Sequence, residues 1–402
     1  VTAEVAAGSG SAASPEVNLR NGIIFTFPGQ GSYAPWALRD FYHNDKESAL
    51  ILQRASEITE RLIGEPFLPL ITAASDASHD TIMARYPDLA QVGIYLGSVI
   101  TAHYLIRNGL TPAGVIGHSA GELAALAISG VYSIETGVEV VCYRIRALQS
   151  LNLDPAGMLA VLCAENRVRS AISDLGPCSL QISVVNHDEQ TVVSGTWADL
   201  QRLEQWMAQL GIQFIRLKSR YPFHSALLRP AVDQFEVSLR TLKFCPPIIP
   251  VYSPIERGFY SAKSDIAGLL ASHFVRPFTF PEALRRLSNM RGRVFIECGG
   301  GDVLSNLVRR TLADQEGLKV HSPLATGRGA EDGLRKIIVE YTTEVPLSQP
   351  AEAKSSGIAS SETDGAGKAT DVPVAIISMG CVLPGANGPG EFWRNILEGR
   401  SG

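Results

Sequence analysis

The sequence predicts an α/β fold: a larger hydrolase-like subdomain with a parallel sheet flanked by helices, and a small α+β subdomain inserted into it. Three observations carry this. Short apolar runs alternate with helical spacing over residues 21–150 and again over 218–330, the pattern of parallel strands with crossover helices. A glycine-punctuated turn, GHSAG, joins one such run to a helix. Over residues 151–217 the order becomes strand, helix, strand, strand, helix, strand, which suggests a ferredoxin-like insertion.

In chain order, GIIFTF from Gly22 reads as a fully apolar buried strand running into the turn Pro28-Gly29-Gln30-Gly31-Ser32. Apolar spacing is helical from Lys46 to Ile63 and from Pro87 to Asn108. Ala113–Ile116 is a second buried strand, Gly117–Gly121 a tight turn, and Glu122 opens a helix ending at Gly130. A further helix is expected over Glu135–Ser150. The inserted unit has strands at Met158–Cys163, Leu180–Val185, Thr191–Ser194 and Phe214–Leu217, with helices at Glu165–Leu175 and Thr196–Leu210. Beyond it, IIPVYS and RVFIEC read as strands and Asp302–Gln315 as a helix. Residues 1–20 read as an N-terminal linker and 331–371 as a trailing segment and flexible linker, rich in Ala, Ser and Gly beyond Pro346. Residues 372–402 begin a new strand-and-turn pattern.

The 402 residues are ample for a sizeable core, and 45% hydrophobic with 19% charged residues is an ordinary globular composition. With 35 Lys+Arg against 40 Asp+Glu the chain offers no electrostatic footprint for nucleic acid. Six scattered cysteines without a CxxC pair argue against structural zinc or a disulfide framework and imply a reducing cytoplasm. No stretch is expected to span a membrane, which takes roughly 18 apolar residues; the best candidate, Val92–Ile106, carries His103.

Three residues could do chemistry. In GHSAG, glycines permit a strained turn that lifts the Ser119 hydroxyl beside backbone N–H groups able to hold a tetrahedral oxyanion; the plainer reading is a packed corner of small residues. A serine needs a base. Of eight histidines, His224 stands at an element boundary within Pro222-Phe223-His224-Ser225. His43 and His79 lie in polar stretches, His187 and His321 in loop-like contexts, and His103 and His273 could be packing residues. Arg144 shares a helix face with Gly137, Val140, Val141 and Leu148, so it points to the core. A buried guanidinium needs an anion. Either an internal glutamate such as Glu297 supplies it, or the fork awaits a substrate carboxylate.

Six ordered motifs, FPGQGS (27–32), GHSAGE (117–122), YRIRALQ (143–149), VVNHDEQTVVSG (184–195), YPFHS (221–225) and ECGGGDVL (297–304), resemble the acyltransferase domain of modular polyketide synthases and the related malonyl-CoA:acyl-carrier-protein transacylases. The resemblance implies Ser119 as the acyl-accepting nucleophile and His224 as its base, oriented by a backbone carbonyl near His273. It implies an oxyanion hole from the N–H groups of Gln30 and Ala120, and Arg144 as the holder of a malonyl-type carboxylate. His118, Asn186 and His273 match other pocket positions. It implies no bound metal or permanent cofactor: a coenzyme A thioester is the substrate, and phosphopantetheine on an acyl carrier protein is the acceptor. Phe223 before the histidine goes with malonyl, whereas Tyr221 is typical of methylmalonyl domains. Ala120 is smaller than the usual residue, Gly300 stands for a proline, and Ile145 for a glycine. Malonyl is the expected extender; a methylmalonyl or starter-unit acyltransferase and a proofreading acyl hydrolase are the alternatives. Residues 372–402 resemble the truncated start of a ketosynthase domain, and Cys381 is not that family's nucleophile.

Overall fold

The computed structural model describes Leu19 and residues 22–72, 85–325 and 329–342. The ketosynthase-like segment 372–402 with Cys381, the linker from 343 to 371, most of residues 1–20, and His79 lie outside the described residues.

The strands are Ile23–Phe27 (β1), Gly114–Gly117 (β2), Ala156–Val161 (β3), Gln181–His187 (β4), Gln190–Thr196 (β5), Phe214–Arg216 (β6), Val251–Ser253 (β7), Gly258–Phe259 (β8), Phe278–Thr279 (β9), Val294–Glu297 (β10) and Lys319–His321 (β11). They form two sheets. The larger has the order β11-β10-β1-β2-β7-β8 and is parallel up to its β7–β8 edge. Every residue of β1 and β2 is buried, as expected where helices cover both faces. Phe27 pairs with Gly117, so the turns after these two strands emerge side by side at the carboxyl end of the sheet. Open parallel sheets bind ligands there.

The smaller sheet has the order β6-β3-β5-β4-β9. Its first four strands with the helices Glu165–Asp174 and Trp197–Gln209 have ferredoxin-like connectivity. Its fifth strand differs from expectation. β9 comes from the segment assigned to the larger subdomain and joins β4 in parallel. The side chains Leu159, Val161, Val193, Leu200, Leu203 and Met207 pack beneath this sheet as a second apolar core.

Helix ends follow local chemistry. Asp45 accepts from Ser48 N to start Lys46–Ile63, and Gly64 stops it with φ 77°. Ser133 accepts from Thr136 N to start Ile134–Gln149. Pro87–Arg107 corrects the expectation that no stretch reaches membrane-spanning size: its 21 residues pass by length and composition, yet 83% of its apolar window is buried. The helices Pro35–Asn44, Gly121–Ile128 and Ile134–Gln149 pack around it, which explains a helix apolar on every side.

Other boundaries moved for physical reasons. IIPVYS yields a strand only from Val251, because Pro250 has no N–H to donate and Ile248 is exposed. The helix expected to run to Gln315 ends at Thr311. Leu19, assigned to linker, is fully buried and accepts from Gly22 N. Residues 330–342, assigned across the linker boundary at 331, form the helix Ala330–Thr342, which buries Leu334 and Ile337 and packs on Pro35–Asn44.

Candidate active site

Ser119 occupies the sharp turn between β2 and the helix Gly121–Ile128, with φ 54°. That left-handed conformation is rare outside glycine and costs about 1–3 kcal/mol. The surrounding glycines make it possible. A Cβ at Gly117 would lie 2.1 Å from Glu122 N, and one at Gly121 would lie 1.9 Å from Phe27 O. The turn after β1 lies alongside, where a Cβ on Gly29 would lie 2.8 Å from His118 O. Among the described residues, the backbone N–H groups of Gln30 and Ala120 donate to no backbone acceptor. Two free amides flanking a hydroxyl can stabilise an oxyanion.

His224 also has positive φ, 58°. Its Nδ1 lies 2.9 Å from the carbonyl of Arg276, which can only accept, so Nδ1 carries the proton. Nε2 is then bare and accepts the Ser119 Oγ–H at 2.7 Å. The loop is pinned from both subdomains: Ser225 N donates to Phe274 O, and Ser194 Oγ on β5 donates to Phe223 O. Burial lowers the His224 pKa from 6.5 to about 3, with the Arg276 carbonyl opposing and His273, His118 and Arg144 assisting. The imidazole is therefore neutral at pH 7 and able to take a proton.

This fixes a pH profile. Burst-phase acyl-enzyme formation should stay level from pH 8 to pH 5 and fall only toward the lowered pKa of about 3. An acid limb centred at the ordinary 6.5 would contradict the burial of this base. Between those values the unfolded chain binds the extra proton, so this group makes stability decline as pH falls through that window. Rapid pH-jump measurement separates the two effects.

Arg144 is 6% exposed and lines the same cavity as Ser119 and His224, about 350 Å³ in volume. Its Nη1 donates to Gln91 Oε1, and its Cζ lies 4.4 Å from the Phe223 ring centre and 5.4 Å from that of Phe274. Burial brings its pKa down to about 10, so it remains a cation at pH 7. Glu297 is not its partner: that carboxylate accepts from Leu304 N and Ser305 N at the start of the helix Val303–Thr311. Among the described residues no carboxylate pairs with Arg144.

The remaining predicted residues divide. His118 and Asn186 line the cavity and bond to each other, Nε2 to Oδ1, at 2.9 Å. Phe223 lines it as well. Ala120 faces a separate cavity of about 20 Å³ that also touches Arg144. Tyr221 lines neither; its ring packs edge-on against Phe223 at 5.9 Å. His273 also lies outside the cavity, with Nε2 3.6 Å from Glu122, whose Oε1 accepts from Tyr260. His103, for which packing was one reading, pairs with Glu47 at a partly exposed site, and His187 ends β4 and meets Arg310. Sequence reasoning missed Gln91, whose signal was a lone amide in an apolar helix; the carbonyl expected near His273 from the resemblance comes from Arg276, three residues further on.

A serine on a strained strand–helix turn, a neutral imidazole hydrogen-bonded to it and free amides beside it define an enzyme site suited to moving acyl groups. A family model described as the acyl transferase domain matches residues 24–341. The chain belongs to that family and is an acyltransferase. Residues 371–402 match the N-terminal domain of beta-ketoacyl synthase. The chain is 28% identical over 298 residues to the non-reducing polyketide synthase VdtA of Byssochlamys spectabilis, covering 73% of this chain and 13% of that protein. Its fold is similar to that of malonyl CoA-acyl carrier protein transacylase from Clostridium perfringens (TM-score 0.69, 24% identity, 80% of this chain and 97% of that one). It is also similar to a malonyl-transacylase solved with a type II polyketide synthase acyl-carrier protein (TM-score 0.69, 20% identity, 79% and 99% covered).

Proposed function

We propose that this is the acyltransferase domain of a polyketide synthase, which takes a malonyl-type group from coenzyme A and passes it through an ester on Ser119 to the phosphopantetheine thiol of an acyl carrier protein. The observation that carries this reading is a single cavity shared by Ser119, His224 and an Arg144 that no described carboxylate neutralises. His224 Nε2 takes the serine proton as Oγ attacks the thioester carbon. The developing oxyanion falls on the amides of Gln30 and Ala120. Collapse expels the coenzyme A thiolate, which takes the proton from His224. The carrier thiol then gives its proton to Nε2 and attacks the ester, and Ser119 regains a proton as it leaves. Thioester and ester are close in energy, so positioning and oxyanion stabilisation suffice.

The match of residues 371–402 to ketosynthase supports a place within a multidomain synthase, with a ketosynthase in the same polypeptide. The malonyl-transacylase complex supports a carrier protein as partner. Substrates of this kind and the free cysteines fit a cytoplasmic setting.

Phe223 supports malonyl over methylmalonyl, because its ring fills space beside the Arg144 fork. Tyr221 lines neither cavity and so carries little weight against it. The small void at Ala120 holds about one water rather than a substituent. The test is competition among malonyl-, methylmalonyl- and acetyl-CoA, read as adducts by intact-protein mass spectrometry. Malonyl adduct should dominate and persist, and rapid turnover to free acid would instead identify a hydrolase. Phe223→Ser should raise methylmalonyl relative to malonyl loading by about 10- to 200-fold, the scale of one methyl group in a pocket. An unchanged share would reject the steric reading.

A further inference from the structure

Gln91 and Arg144 meet from two neighbouring helices, Pro87–Arg107 and Ile134–Gln149, and both are buried, 9% and 6% exposed. A guanidinium offers five N–H donors in a planar fork. The bond to Gln91 Oε1 is the one hydrogen bond that the described residues give it. Phe223 and Phe274 hold the fork with their rings and supply no formal charge. Asp88, one turn before Gln91, accepts from Gln149 instead. A buried arginine is normally matched by a carboxylate, because an unpaired charge away from water is costly. Here the partner is an amide.

We propose that Gln91 is the positioning residue that sets the preference for dicarboxylic over monocarboxylic acyl groups, aiming the Arg144 fork while leaving its charge uncompensated. This rests on the reading of Arg144 as a carboxylate holder. An amide oxygen fixes the direction of Nη1 as well as a carboxylate would, yet it adds no negative charge. The remaining donors keep facing the cavity with their full attraction for an anionic guest. Glutamate has almost the same shape. At this position it would satisfy the cation internally, and an arriving carboxylate would meet a neutral pair and a repelling neighbour.

The experiment compares the full chain with Gln91→Glu, Gln91→Met and Arg144→Ala, measuring kcat and KM for acyl-enzyme formation from malonyl-CoA and acetyl-CoA. For Gln91→Glu, malonyl kcat/KM should fall about 10- to 100-fold, the worth of a hydrogen bond to a charged group, chiefly through KM. Acetyl loading should stay at the parent level. Gln91→Met keeps the volume but frees the fork, and should lower the malonyl-to-acetyl ratio by a smaller factor. A parental ratio in Gln91→Glu overturns the proposal, as does an equal loss with both substrates, which is what a merely structural role gives. Should Gln91→Glu fail to fold, the ratio in Gln91→Met decides. Arg144→Ala separates the two ideas: a parental ratio there sinks the clamp itself, whereas a lost ratio there with a parental ratio in Gln91→Glu sinks only the role of Gln91.

Discussion

Replacing Ser119 by alanine leaves the protein at its unmodified mass after incubation with malonyl-CoA, and transfer falls by roughly a millionfold, the scale of removing a catalytic serine. The expectation is this severe because no other hydroxyl in the cavity is placed to substitute. Ser32 Oγ donates to Gly29 O, and Ser219 Oγ donates to Tyr221 O. Neither is hydrogen-bonded to an imidazole. Alanine keeps the Cβ, so the turn at φ 54° is unaltered and the loss reports chemistry rather than folding. A surviving adduct, mapped by peptide mass spectrometry to another residue, would refute the assignment.

Arg144→Ala should lower malonyl kcat/KM by about 10²- to 10³-fold, the scale of leaving one member of a buried charged pair without its partner. The acyl group of acetyl-CoA has no free carboxylate, so its loading should hold or rise relative to malonyl. The guanidinium is buried between two aromatic rings, and its removal also opens a void. A thermal melt therefore accompanies the kinetics, and the decisive quantity is the ratio of the two substrates. If both fall together, the arginine is packing and the clamp is lost as an explanation.

Much of the fold was legible because its signals are local. The apolar run IIFTF is read directly as a buried strand, and Lys46–Ile63 has helical spacing between an aspartate and a glycine. The alternation of strands and helices over 151–217 is a local pattern too. The wheel that put Arg144 on the apolar face agrees with its burial, because helix geometry alone decides that side. What stayed hidden depends on distant partners. β9 has only two residues, too short for any periodicity, and exists because it covers the edge of β4. The main-chain carbonyl holding His224 was expected near His273 from the resemblance, and only the fold picks out Arg276, three residues on, because every residue carries such a group. Charge balance left Arg144 between an internal glutamate such as Glu297 and a substrate carboxylate, and did not point to the amide of Gln91 that the structure places against it. Tyr221 stands close to His224 in sequence, but it packs against Phe223 outside the cavity, and His273 lies outside it beside Glu122.

The two-residue strand β9 begins just after Arg276, whose carbonyl orients His224, and its Phe278 ring lies 5.1 Å from both the His224 and the His118 rings. Anyone grafting residues 151–217 from one acyltransferase into another would cut through this tie. The transplanted sheet would carry a bare margin along β4, and the recipient's own Phe278–Thr279 equivalent would have to fit a foreign neighbour. A swap that carries residues 274–280 along with the insert keeps the imidazole's anchor matched to the sheet that holds it.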